Sequence, residues 1–366
     1  RGHHPVFLHP SLCHFGVMEN ELKAILEAEH LEHLTPKFEE QGVTDAILDQ
    51  LEDSDLRELG VEKLGERKRL LSAFSQNRDL PLAGTVMISV GGGVMPTDSE
   101  LSGLRVEDFE IGKYPVMQEE WEWVRVWALA KGYELETGYG SGSSHPVTHV
   151  SWYDAVKWCN AKSEHELLEP VYYMEGKIFR NGEFGADGSR LISWHTKARG
   201  YRLPTEAEWE LAARGGLQGK KFAWGDEFAP EGSYLANTFQ GIFPSKDEGM
   251  DGFSSTAPVQ SFPPNAYGAY DMIGNVWELT SDWYDALKHA RTAGKVAKLD
   301  VGMNPCYNPS NPYAMERVIK GGSFLCASNY CTNYRPAARQ GQAYDSGTSN
   351  VGFRLVLDGK PTRKKG

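Results

Sequence analysis

Two cysteines five residues apart, Cys326 and Cys331, offer the most reactive chemistry in this sequence. They lie in Ser323-Phe324-Leu325-Cys326-Ala327-Ser328-Asn329-Tyr330-Cys331, directly after Gly321-Gly322. Three readings stand for such a pair. Two thiolates converging on one point favour a soft ion, and Cu(I) is the softest common candidate. Such a two-thiolate site is under-filled and leaves room for a third ligand. The same thiols could instead close a disulfide or act as a redox pair, or both could be inert core. A second group is rich in oxygen. Asp271-Met272-Ile273-Gly274-Asn275-Val276-Trp277-Glu278 sets two carboxylates around turn carbonyls, which suits Ca²⁺. Carboxylates that cap turns without metal are the alternative. His145 and His149 stand at i and i+4, but no third ligand is near, so they read as packing and hydrogen-bonding residues. Cys159, beside Trp158 on a helical stretch, reads as core. Cys306 sits in a turn-rich insertion and is given no role.

These groups need elements to hold them. Val86-Met87-Ile88-Ser89-Val90 reads as a strand running into a Gly91-Gly92-Gly93 turn, and Phe109 to Tyr114 as a second strand. Trp121, Val124 and Trp127 share one face of a helix predicted over 118–131. Ser151 with Asp154, and Thr205 with Glu208, have the spacing of capping boxes at the start of two further helices. Beyond about residue 216 the chain is mostly turns, glycine and aromatics. Its backbone polar groups must then be satisfied by bound cations or a dense side-chain network.

Length and composition set the frame. The 366 residues, 40% hydrophobic and 24% charged, suit two or three globular domains. A net charge of −12 argues against a general phosphate-backbone binder, and no run of 18 apolar residues predicts a membrane span. Five cysteines in so long a chain do not make a disulfide scaffold, so a reducing, cytoplasmic setting is the default. The expected layout is a leader or expression scar at 1–17, a helical module at 20–77, a polar linker at 78–84, a large domain at 85–358 and a basic tail at 359–366.

Within the first module, Leu22, Ile25, Leu26, Leu31, Leu34 and Phe38 recur at helical spacing, and Gly42, Gly60 and Gly65 punctuate later helices. Phe38 to Val43, Asp55 to Val61 and Leu64 to Leu71 resemble a SAM (sterile alpha motif) domain. The resemblance implies five short helices used for contacts with like or unlike proteins. Residues 21–77 carry 14 acidic and 7 basic residues, a net of −7, which disfavours RNA. That acidic face could meet a neighbour's Arg67-Lys68-Arg69 end.

The large domain resembles the formylglycine-generating enzyme (sulfatase-modifying factor) superfamily. The resemblance rests on Tyr201 to Glu210, Phe222-Ala223-Trp224-Gly225, Gly274 to Trp283, Arg317 to Ser323 and Gly352-Phe353-Arg354. It implies an α+β, loop-rich, C-type-lectin-like fold. It also implies a copper-dependent, O2-using oxidase that converts a peptidyl cysteine to formylglycine. Cys326 and Cys331 would hold Cu(I), Ser323 would lie near the oxygen position, and Arg339, Tyr344 and Asp345 would face the substrate, with a structural salt bridge as the other reading of Arg339. Two structural Ca²⁺ sites are implied, one from Asn237, Thr238, Asp251 and Phe253, the other from Asp271, Gly274, Val276 and Glu278. The implied partner is a cysteine-containing peptide or sulfatase-like protein in a prokaryotic cytoplasm, with no nucleic acid and no membrane. Relatives also include non-catalytic paralogues and hypervariable ligand-display proteins. The alternative is therefore a ligand-binding scaffold assembled through its SAM module, for which a Cys-x4-Cys pair has no use. Gln340 to Tyr344, with Gly347-Thr348, departs from the enzymes' pattern beside the substrate groove.

Overall fold

The computed structural model describes residues 22–23, 26, 31–43, 48, 51–76, 85–182, 192–195, 197–286, 308, 310, 315–331 and 333–358. The leader, linker and tail expectations, together with Cys13 and Cys306, lie outside these residues. The chain divides into two compact units, Arg1–Leu80 and Pro81–Gly366.

In the first unit a 3-10 turn at Glu32–Leu34 leads into α1 (Thr35–Glu40), followed by α2 (Asp53–Glu58) and α3 (Leu64–Gln76). The described residues show three α-helices and one 3-10 turn, which leaves the expected count of five untested. The helices anticipated around Leu22–Leu26 and Ile47–Leu51 fall mainly outside the described set. Leu22, Leu26, Leu31, Phe38, Leu48, Leu56, Leu59, Val61 and Leu70 form one core. Arg67 is buried within this unit. Its Nε donates to Asp53 Oδ1 (2.7 Å) and its Nη1 to the carbonyls of Val61 (3.0 Å) and Glu62 (2.6 Å). It therefore locks its own turn, and the partner-facing basic end expected at residues 67–69 does not include it.

The second unit mixes helix and sheet. It runs β1 (Met87–Val90), β2 (Gly93–Val94), β3 (Arg105–Val106), β4 (Phe109–Gly112), α4 (Gln118–Leu129), α5 (Trp152–His165), β5 (Tyr172–Met174), β6 (Lys177–Ile178), β7 (Ile192–Trp194) and α6 (Glu206–Arg214). There follow β8 (Gly241–Ile242), β9 (Lys246–Asp247), β10 (Trp277–Trp283), β11 (Glu316–Lys320), β12 (Gln340–Ala343), β13 (Val351–Gly352) and β14 (Val356–Asp358). A four-stranded sheet has the order β12-β11-β10-β13, and β4 lies between β1 and β14 in a second sheet. All seven residues of β10 are buried, as expected of a strand covered on both faces.

Both capping boxes form. Ser151 Oγ accepts from Asp154 N, and Thr205 Oγ1 accepts from Glu208 N, each with the reciprocal bond. Helix α5 is buried along most of its length, and its Trp158 stacks on Trp121 of α4 at 5.8 Å. The irregular part is held by side chains. Arg354, fully buried, reaches Glu278 with two hydrogen bonds of 2.6 Å and also donates to the carbonyls of Gly112 (3.0 Å) and Tyr270 (2.9 Å). Glu278 in turn accepts from Trp209 Nε1 of α6 at 2.6 Å. No described helix is long and apolar enough to cross a membrane.

Candidate active site

The thiol-bearing loop begins where β11 ends. Gly321 (φ +94°) and Gly322 (φ +74°) both need the left-handed region, which glycine enters without strain. A Cβ on Gly321 would lie 3.0 Å from the Trp209 ring, and one on Gly322 3.0 Å from the Tyr334 backbone. The turn thus presses the loop against α6 and onto itself. Ser323 follows, fully buried. Its carbonyl accepts from Cys326 N (2.9 Å), and the Ala327 carbonyl accepts from Cys331 N (2.8 Å), folding the loop back so that the thiols converge. Phe239 N donates to the Cys326 carbonyl at 3.1 Å and anchors this turn to the chain before β8.

The Cys326 and Cys331 sulfurs are 3.1 Å apart, and both are free thiols. That separation is well beyond the ~2.05 Å of a disulfide. It is within the span of two sulfurs that each sit ~2.3 Å from one ion, the distance of a typical metal–thiolate bond. Cys326 is buried and Cys331 half-buried, so one sulfur backs the site and the other opens it. The pair shares a proton unequally. The hydrogen bond from Cys326 holds the Cys331 thiol down to about 6, while the same bond and burial push the Cys326 thiol well above its ordinary range. Cys331 is therefore the sulfur that more readily becomes a thiolate, the form that metals and electrophiles require.

Ser323 Oγ accepts from Leu325 N (3.3 Å) and from Asn350 Nδ2 (3.1 Å), leaving its own proton free to be donated to the Cys326 sulfur. Asn350 Oδ1 accepts from Thr348 Oγ1 at 3.1 Å. Sequence reasoning gave Asn350 no role. No local signal could have found it, because only the fold closes the 27 residues between it and Ser323. Exposed Tyr330, between the two cysteines, stacks on Phe243 at 4.8 Å.

The residues expected to face substrate separate. The Arg339 side chain is 5% exposed and directed inward. It donates from Nε and Nη2 to Glu206 (2.7 and 3.1 Å) and from Nη1 to the Asp285 carbonyl (2.6 Å), which is structural pairing in place of the expected substrate contact. Tyr344 is half-buried, with its ring 5.2 Å from that of Tyr153. Asp345 is exposed and accepts from Ser346 Oγ at 3.1 Å.

The two oxygen-donor sets differ in fit. In the first, Asn237 Oδ1 is buried and has no hydrogen-bond partner, an acceptor that a cation would satisfy. Its neighbour Asp251 accepts from Thr238 N, Gln240 Nε2 and Phe253 N, which gathers the set. In the second, the Glu278 carboxylate already holds the Arg354 guanidinium through both oxygens, so a cation there would face a buried positive charge. That set does not fit. Asp271 remains a buried carboxyl, pushed up to about 6 by burial, and accepts from Gln260 N at 2.8 Å. His145 lies 3.0 Å from Thr256 Oγ1, and His149 Nδ1 lies 3.0 Å from Thr148 Oγ1. Among the described residues no three His, Cys, Asp or Glu side chains are grouped to hold a metal.

With this geometry in hand, the chain can be placed. Residues 71–359 match the sulfatase-modifying factor enzyme 1-like domain, and residues 20–78 match the SAM domain. The chain belongs to the sulfatase-modifying factor family and carries a SAM domain. It is 41% identical over 221 residues to the formylglycine-generating enzyme of Mus musculus, covering 60% of this chain and 46% of that protein. It is 39% identical over 239 residues to the formylglycine-generating enzyme of Thermomonospora curvata, covering 63% and 64%. The chain therefore spans about half the length of the mammalian relative. Among solved structures it resembles CarF, with a TM-score of 0.56 and 26% identity over 76% of this chain and all of that one.

Proposed function

We propose that the large domain is a copper-dependent, O2-using oxidase that converts a peptidyl cysteine to formylglycine. The observation that carries this is the thiol pair, with sulfurs 3.1 Å apart and one sulfur poised as a thiolate in a half-open turn. Cys326 and Cys331 would hold Cu(I), and the soft donor set suits that ion. Copper, when bound, supplies the soft-metal and one-electron chemistry by which O2 is used and the C–H bond beside sulfur is broken. This chain's own residues do the rest. The Cys331 side leaves the pair open to a third thiolate, the substrate's. Ser323 is held by Asn350 with its proton toward the pair, where it can donate to a group in the site. Tyr330 and Phe243 give the mouth an aromatic wall.

The first oxygen set, Asn237, Thr238, Asp251 and Phe253, is the one we assign to a structural Ca²⁺. The substrate is a cysteine-containing peptide or sulfatase-like protein, and a reducing, cytoplasmic setting keeps both thiols available. The acidic SAM unit serves for self-association or binding of a partner protein. The thiol pair, free and preformed, weighs against a purely ligand-displaying scaffold. An anaerobic Cu(I) titration against a competing chelator, with Cys326→Ala alongside, tests the reading. One copper held tightly and released by the substitution is expected, followed by aldehyde formation on a cysteine peptide. No competitive copper binding would overturn it.

A further inference from the structure

The loop that carries Ser323, Cys326 and Cys331 spans residues 321–339, and a cation stands at each end. Lys320 is the last residue of β11, and Arg339 immediately precedes β12. Both meet one carboxylate. Arg339 grips Glu206 through Nε (2.7 Å) and Nη2 (3.1 Å), and Lys320 Nζ lies 3.7 Å from Glu206 Oε1. The side chains of Glu206, Lys320 and Arg339 are 1%, 0% and 5% exposed. Water therefore screens these charges little. Glu206 is itself fixed at the start of α6, where its N–H donates to Asp282 Oδ2 at 2.7 Å. The second carboxylate on Lys320, Glu210 (3.1 Å), is committed also to Arg214 at 2.8 Å. Among the described ion pairs, Glu206 thus joins the two ends of the loop through one side chain.

We infer that Glu206 is a positioning residue for the thiol pair. This rests on reading that pair as the working site. A loop tied at both ends to one buried carboxylate samples fewer conformations than one held by strand pairing alone. The sulfurs gain a fixed separation from it. Reacting groups displaced by about 1 Å can lose ~100-fold in rate, so the tie is worth more to chemistry than to folding.

The test is the effective molarity of the Cys326–Cys331 disulfide, read on the full chain. It is the value of [GSH]²/[GSSG] at half-oxidation, with oxidation quantified on that peptide by mass spectrometry. Glu206→Gln should lower it at least tenfold. Cu(I) affinity should fall in parallel, and kcat for peptide oxidation should fall with KM little changed. Glu208→Gln is the control. Glu208 lies on the same helix, and its pair with Arg202 at 2.7 Å does not involve the loop. It should stay within twofold of the unsubstituted protein. If Glu206→Gln does not fold, Arg339→Lys decides, because it keeps the charge and loses the paired hydrogen bonds. An effective molarity unchanged in the tested variant, or lowered equally by Glu208→Gln, overturns the assignment. A protein that binds no Cu(I) yet loses effective molarity with Glu206→Gln removes the proposed function and keeps the role of Glu206. Copper binding and peptide oxidation with no loss in effective molarity removes the role of Glu206 alone.

Discussion

Gly322 shows how tightly single positions are determined around the thiols. Its φ of +74° and the 3.0 Å approach of a Cβ to the Tyr334 backbone leave no room for a side chain. Gly322→Ala should destabilise the second unit by about 1–3 kcal/mol in urea unfolding, the usual scale for backbone strain. Asn237 and Glu278 give opposite expectations. Chelation of calcium should lower the melting temperature, and Asn237→Ala should abolish that sensitivity. Glu278→Gln should keep the sensitivity but cost about 3–5 kcal/mol, because Arg354 would be left buried without its counter-charge. A Glu278→Gln protein blind to chelation would instead return Glu278 to the cation site. The spacing of Cys326 and Cys331 was legible in the sequence because both thiols sit in one short loop. Glu206 was not. It meets Arg339 across 133 residues, and no local pattern announces such a pair. Arg339 stayed open between substrate contact and salt bridge for the same reason, since an arginine in such a stretch looks alike whether it points out or in.

Helix starts were the most legible elements, because a capping box is written in four consecutive residues. Ser151 and Thr205 cap as their spacing demands. Strands were less so. Several are only two residues long, and β13 exists only because the distant β10 lies alongside. The segment leading into α5 carries a pH-sensitive element. Burial holds the His145 imidazole down at about 4, beside Thr256. From the ordinary 6.5 down to about 4, the unfolded chain therefore takes a proton that the folded chain refuses. Stability should fall as pH drops through that window, by up to ~3 kcal/mol, and be fully regained above it. Melting curves at pH 7 and 4.5 check this, and His145→Gln should flatten the difference. An equal slope in the substituted protein would place the sensitivity elsewhere.

On the scale of the whole chain, the two family resemblances were readable because each unit has its own motif set and its own core. What could not be read was how the second unit closes. β14 pairs with β4, placing Val356 opposite Ile111, and Arg354 spans 242 residues to the Gly112 carbonyl. Arg354→Met should be among the costliest single changes, visible as loss of cooperative thermal unfolding. A construction in which the last strand seals the first sheet also sets a clock on synthesis. While the ribosome is still reading toward residue 358, β4 has no neighbour on one side, and the carboxylate of Glu278 has no guanidinium. The nascent thiol loop would therefore emerge before its frame is complete. Until β14 arrives, β4 presents an open edge to whatever else could pair with it.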